Sequence, residues 1–195
     1  MEKLFFTMAL LTSLFATGQS DERFVRKGLL RASGGIVSGN HFSGLSCVYL
    51  NGNAEYHPDA SFSVRGDMNV LAGSRAAGNG HSLEHNHSVL LGMVMHARTK
   101  NKLDPYLVLQ PGMAITSVKF SDEEGTSRTS ALQVTPLATA GIGFNYYFPR
   151  FAHLFAEARY VYGNHLSDLG PVSLEEMRFS FGLGFNVFTI KKRPA

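Results

Sequence analysis

From Arg26 onward, apolar and polar side chains alternate one for one, the signature of strands with one greasy face rather than of helices. Leu30, Ala32, Gly34 and Ile36 share a parity with Gly28, against Lys27, Arg31 and Ser33. Val48, Leu50, Ala54 and Tyr56 oppose Cys47, Tyr49, Asn51, Asn53 and Glu55. The third segment is the cleanest, with Ala60, Phe62, Val64, Met68 and Val70 against Ser61, Ser63, Arg65, Asp67 and Asn69. A fourth sets Val89, Leu91, Met93, Met95 and Ala97 against Ser88, Gly92, His96 and Arg98, with Leu90 and Val94 breaking the alternation. The fifth, about Tyr106 to Val118, is interrupted by Pro111, which predicts a bulge or local irregularity there. Gln133 to Tyr146 and Ala152 to Tyr162 supply the sixth and seventh. The eighth, Glu176 to Phe188, places Met177, Phe179, Phe181, Leu183, Phe185 and Val187 on one face and Arg178, Ser180, Gly182, Gly184 and Asn186 on the other.

The connections differ in length by side. His57-Pro58-Asp59 and Pro149-Arg150 are tight, and Thr99 to Asp104 is short. Gly73–Asn86, Lys119–Leu132 and Asn164–Leu174 are long and polar. Both ends of the strand region lie with the tight turns, and Tyr56, Phe62, Tyr106, Tyr146, Phe148, Phe151 and Phe185 gather near them. Short turns at one end, long loops at the other and an aromatic girdle are the asymmetry of a barrel that crosses a membrane. Alternation alone would equally suit a soluble barrel with its apolar face inward. The turn asymmetry, the N-terminal segment and the last strand favour the membrane.

Composition narrows this further. Met1 to Gly18 has Lys3 ahead of an apolar run from Leu4 to Ala16, then a small-x-small site at Ala16-Thr17-Gly18. That is the layout of a secretory signal peptide, too short for a spanning helix of roughly 20 residues. The chain therefore divides into a signal peptide (1–18), a barrel (24–188) and a basic tail (189–195). Cys47 stands alone, so no intrachain disulfide is possible. A net charge of +3, with its one dense run at Lys191-Lys192-Arg193, gives no nucleic-acid footprint.

Gly141-Ile142-Gly143-Phe144-Asn145-Tyr146, Phe155-Ala156-Glu157-Ala158-Arg159-Tyr160 and Phe181-Gly182-Leu183-Gly184-Phe185 resemble the strands of the small outer-membrane β-barrel domain family, of the OmpA/OmpX-like kind. Ser180, Gly182, Phe185 and Val187 also resemble the C-terminal signal of such proteins, although seven residues follow Phe188. The resemblance implies an all-β, eight-stranded antiparallel up-and-down transmembrane barrel in the outer membrane of a Gram-negative envelope. Its implied partners are outer-membrane lipid, lipopolysaccharide and the barrel-insertion machinery, with the barrel a monomer.

In a barrel of about eight strands, side chains fill the interior. Charges on the inner face must then pair, because an unpaired buried charge costs several kcal/mol. Glu55, Arg65, Asp67, Glu157, Arg159 and Arg178 are expected to form this luminal polar network. No cofactor or metal is expected. His81, Glu84, His85 and His87 read as a solvated loop cluster. His87 and Ser88 are adjacent and face opposite ways, and His153 has no Ser or Thr two positions away, so catalysis is not expected. The chain reads as a non-enzymatic structural or surface-interaction protein acting through its loops. A narrow channel for small solutes and a soluble periplasmic ligand-binding barrel remain alternatives.

Overall fold

The computed structural model describes residues 24–75, 81–97, 102–121, 127–148, 151–167 and 170–188. The segment 1–18, read above as a signal peptide, and the tail 189–195 lie outside these residues. Eleven strands appear among them: β1 (Leu29–His41), β2 (Ser46–His57), β3 (Phe62–Arg75), β4 (His81–His96), β5 (Leu103–Ser121), β6 (Ser127–Thr129), β7 (Gln133–Tyr147), β8 (Ala152–Tyr162), β9 (Asn164–Ser167), β10 (Gly170–Ser173) and β11 (Glu176–Phe188). Eight of them, β1 to β5, β7, β8 and β11, pair in chain order, every pairing antiparallel. β11 returns to β1, with Leu29 opposite Phe188 and His41 opposite Glu176. Closure leaves no edge strand in the wall, as a lipid environment demands, although β3 and β4 pair with each other only as far as Asn69 and Ser88. The remaining three strands belong to the end opposite the tight turns: β6 extends the β5–β7 connection, and β9 and β10 form a separate two-stranded hairpin.

The direction in which the faces point decides between a membrane barrel and a soluble one. Phe62, Val64 and Met68 are 43%, 47% and 55% exposed on the outside, whereas Arg65 and Asp67 between them are 4% and 2% exposed. The same holds around the wall, with Leu50, Leu91, Leu109, Met113, Ile142, Phe181 and Phe185 outward. Arg31, Glu55, Glu157, Arg159 and Arg178 all point inward and are buried. A water-soluble barrel would reverse this.

Several sequence expectations change in detail. Pro111 brings a local irregularity and no bulge: β5 keeps one register with β7 from Leu103 to Thr116, while its pairing with β4 lapses between Leu109 and Gly112 and resumes in the register it left. Pro111 points outward and pairs opposite Ala138, so the strand tolerates its missing N–H without shifting. The register shifts instead fall at Val48/Tyr49 and Leu83/His85, toward the other end. Much of each long connection is strand, because β3 and β4 run on to Arg75 and from His81, and β5 reaches Ser121. Leu90 and Val94, which blur the β4 pattern, are fully buried in the lumen. Tyr106 leaves the aromatic girdle and also turns inward, while Tyr56, Phe62, Tyr146, Phe148, Phe151 and Phe185 stay outside.

The tight ends have local causes. Ser61 N–H donates to Asp59 Oδ1 at 2.9 Å, closing the β2–β3 turn through an aspartate side chain. At the opposite end, Gly44 takes φ 87°, a left-handed value, as the chain turns between β1 and β2.

Candidate functional site: the luminal polar stack

Inward side chains fill the lumen in successive clusters. At the tight-turn end, Arg31 on β1 lies 3.5 Å from Glu55 on β2 and 3.0 Å from Asp104 on β5. Tyr147 O–H lies beside Asp104 at 3.3 Å, and the Arg31 guanidinium donates to the Tyr147 oxygen. His96 bridges the two carboxylates, with Nε2 2.8 Å from Glu55 and Nδ1 3.0 Å from Asp104. Asn145 Nδ2 donates to Asp104 at 3.0 Å. The Ser63 hydroxyl donates to Glu55.

Further in, Arg65, Asp67, Glu157 and Arg159 form a second cluster. Arg65 reaches Asp67 at 2.7 Å and Glu157 at 2.8 Å. Arg159 reaches Glu157 at 2.7 Å and lies 3.6 Å from Asp67. Tyr106 O–H donates to Glu157 at 3.0 Å, and Gln110 joins Asp67 at 2.6 Å to Arg159 at 2.7 Å. Two guanidinium and two carboxylate groups balance here. Tyr106 fits because β7 offers Gly143 beneath it; a Cβ at Gly143 would meet the Tyr106 ring at 2.5 Å.

A third cluster, toward the far end, pairs Arg178 with Glu176 at 2.6 Å. Tyr49 O–H donates to Glu176 at 3.1 Å, and the Arg178 guanidinium sits 4.5 Å over the Tyr49 ring. Apolar side chains, among them Val37, Cys47, Leu83, Leu90, Val118, Val161 and Leu174, pack around this cluster. Cys47 is buried 3.7 Å from His41 Nε2. Beyond them, His165 on β9 is held by the hydroxyls of Thr116 at 2.7 Å and Ser130 at 3.1 Å, so the hairpin is tied to the barrel rim. Burial pushes the His165 imidazole below its ordinary value.

The six residues singled out in the sequence are all inward and buried, but they do not meet in one network. Arg65, Asp67, Glu157 and Arg159 meet one another. Glu55 pairs with Arg31, and Arg178 pairs with Glu176. Arg31, His96, Asp104 and Glu176 are members missed, as are His57, 3.2 Å from Glu55, and His41, 3.3 Å from Glu176. Arg31 and His96 were visible on polar parities, whereas Asp104 and Glu176 sit at strand starts, where alternation gives little signal. Glu84, His85 and His87 belong to β4 and not to a loop; Glu84 accepts from Thr129 at 2.9 Å and His87 Nδ1 accepts from Leu71 N–H at 3.1 Å. His153 has hydroxyl and amide neighbours after all, Ser33 at 3.2 Å and Asn186 at 3.0 Å, supplied by β1 and β11.

No protein-family model matches the chain, and no curated protein does. Solved structures do. OprG from Pseudomonas aeruginosa is 15% identical with a TM-score of 0.58, covering 84% of this chain and 98% of that one. Ail, the attachment invasion locus protein of Yersinia pestis, is 17% identical with a TM-score of 0.56, covering 83% of this chain and 99% of that one. The N-terminal barrel domain of Pseudomonas aeruginosa OprF gives 17% and 0.54, over 83% of this chain and 98% of that domain. The chain therefore has the fold of the small, eight-stranded outer-membrane β-barrels.

Proposed function

We propose that this chain is an exported, integral outer-membrane protein, a sealed barrel that works as a rigid anchor and presents its far-end strand extensions to the cell's surroundings. The observation that carries this reading is the filling of the lumen. Three ionic clusters and an apolar layer occupy it, in a barrel whose strand number leaves an interior just wide enough for side chains. Such a wall holds its ends in fixed positions, and segments on a rigid scaffold are where binding commonly sits. The extensions of β3 and β4, the β5–β6 turn and the β9–β10 hairpin would carry that binding. A structural neighbour named for attachment and invasion fits such a role.

In this reading the segment 1–18 is removed on export, the insertion machinery handles the β11 end, and lipid and lipopolysaccharide surround the apolar belt of a monomer. The reading is non-enzymatic, and the Ser33–His153–Asn186 chain faces the lumen and not the lipid. Reconstitution into a planar bilayer tests it: a sealed anchor gives no ohmic steps above the bare bilayer. Regular single-channel conductance would replace it with the narrow channel for small solutes. Fractionation with the detergent-free periplasmic extract would instead return the soluble barrel.

A further inference from the structure

Glu55, His57 and His96 turn three ligand-type atoms toward one point at the tight-turn end of the lumen. We propose that this point is a binding site for a divalent transition-metal ion of the zinc class, held by Glu55 Oε1, His57 Nε2 and His96 Nε2. His96 Nε2 lies 2.8 Å and His57 Nε2 3.2 Å from Glu55 Oε1, and one ligand atom from each residue lies within 4.8 Å of the others. Ligand bonds of about 2.0–2.2 Å in a tetrahedral site set neighbouring ligand atoms roughly 3.4 Å apart. The cluster is close to that spacing before any ion arrives.

A further observation points to a cation. His57 is fully buried, yet neither ring nitrogen makes a hydrogen bond; Nε2 sits near Glu55 without the alignment of one. A buried imidazole with both nitrogens idle is costly, and a metal bond would satisfy it. His96 Nδ1 lies 3.0 Å from Asp104 and its Nε2 2.8 Å from Glu55, so a metal here would take Nε2 in place of a proton shared with Glu55. A carboxylate behind the imidazole is also the arrangement that orients metal-ligating histidines.

The surrounding charge agrees. With both imidazoles neutral, as metal ligation requires, Glu55 and Asp104 bring two negative charges against the single guanidinium of Arg31. Arg31 Nη1 lies by Glu55 Oε2, 3.5 Å away, which leaves Oε1 turned to the imidazoles. Ser63 Oγ, 3.0 Å from His96 Nε2, stands at the same point and is placed to move aside or add an oxygen. Two imidazoles and one carboxylate suit zinc-like ions over magnesium or calcium. His57 and His96 are the last residues of β2 and β4, so an ion enters from the tight-turn side without crossing the lumen.

Untagged protein, refolded in detergent and stripped with chelator, is titrated with Zn2+ by calorimetry and with Co2+ by visible absorption. One Zn2+ per chain and a Co2+ spectrum of nitrogen–oxygen ligation are expected. His57→Ala and Glu55→Gln should abolish both, and Asp104→Asn should weaken binding by about ten- to a hundredfold. His85→Ala/His87→Ala, on the outer side of β4, should leave it unchanged. Imidazole 15N shifts of the unaltered protein should move on Zn2+ addition at His57 and His96, which keeps the test valid if a variant fails to fold. Folded protein that takes up no Zn2+, binding that survives His57→Ala, or unmoved His57 and His96 shifts would each overturn the proposal.

Discussion

Replacing Glu157 by leucine probes the luminal clusters most sharply. Its carboxylate accepts from Arg65 Nη1 at 2.8 Å, Arg159 Nε at 2.8 Å and Tyr106 O–H at 3.0 Å. With leucine there, Arg65 and Arg159 share the single carboxylate of Asp67 in a site closed to water. Breaking one partner of a buried ion pair costs about 3–5 kcal/mol. For a urea dependence of about 2 kcal/mol per molar, the unfolding midpoint falls by roughly 1.5–2.5 M. The assay is urea unfolding of vesicle-reconstituted protein, followed by the mobility shift between folded and unfolded barrels on unheated gels. Adding Arg159→Leu removes the stranded charge and leaves Arg65 against Asp67 at 2.7 Å, a balanced pair. The double variant should therefore lose less than the two single losses added together, by about 1–3 kcal/mol, the coupling expected of contacting residues. Additivity within about 0.5 kcal/mol, or an unmoved midpoint in Glu157→Leu, would refute the claim that these four side chains act as one unit.

Gly143→Ala should destabilise the barrel by about 1–3 kcal/mol through overpacking against Tyr106, measured by the same unfolding transition, with Tyr106→Ala relieving part of the loss. Leu109→Arg, outward on β5, should cost about 2–4 kcal/mol if it sits near the bilayer midplane, whereas Lys119→Glu, beyond it on the same strand, should change stability little. His165 titrates below its ordinary range in the folded state, so its contribution is intact above the unfolded value near pH 6.5 and is lost as pH falls through and below it. Amide exchange in β9 and β10 should accordingly speed up on going from pH 7.5 to pH 5, after correction for intrinsic rates, and His165→Phe should abolish the extra change.

Strand number, facing and closure were legible because lipid outside and packed charge inside impose opposite demands on alternate residues along some ten positions of each strand. The pattern fails where that contrast fails. Beyond the apolar belt both strand faces meet polar surroundings, so the far ends of β3, β4 and β5 read as loops although their ladders continue. Leu90 and Val94 look like noise in β4, yet the lumen needs apolar filler between its ionic clusters. Tyr106 sits where a girdle aromatic would sit, and its parity, shared with Val108 and Gln110, was the overlooked signal. The inner charges could be named singly, but their grouping depends on which strands lie across the lumen from one another. Arg65 on β3 and Glu157 on β8 are such a pair, 92 positions apart. The meeting of Glu55, His57 and His96 was hidden for the same reason, since β2 and β4 are brought together there by closure and not by sequence.

The central claim is that the apolar face looks into lipid while the charges look inward. Spin labels at Val64→Cys, Leu109→Cys and Phe181→Cys, in a Cys47→Ala background reconstituted into bilayers, measure it by collision with dissolved oxygen and with a water-soluble nickel chelate. All three should collide readily with oxygen and hardly at all with nickel. Labels at these positions that meet the nickel chelate as freely as a solvated loop would contradict the account.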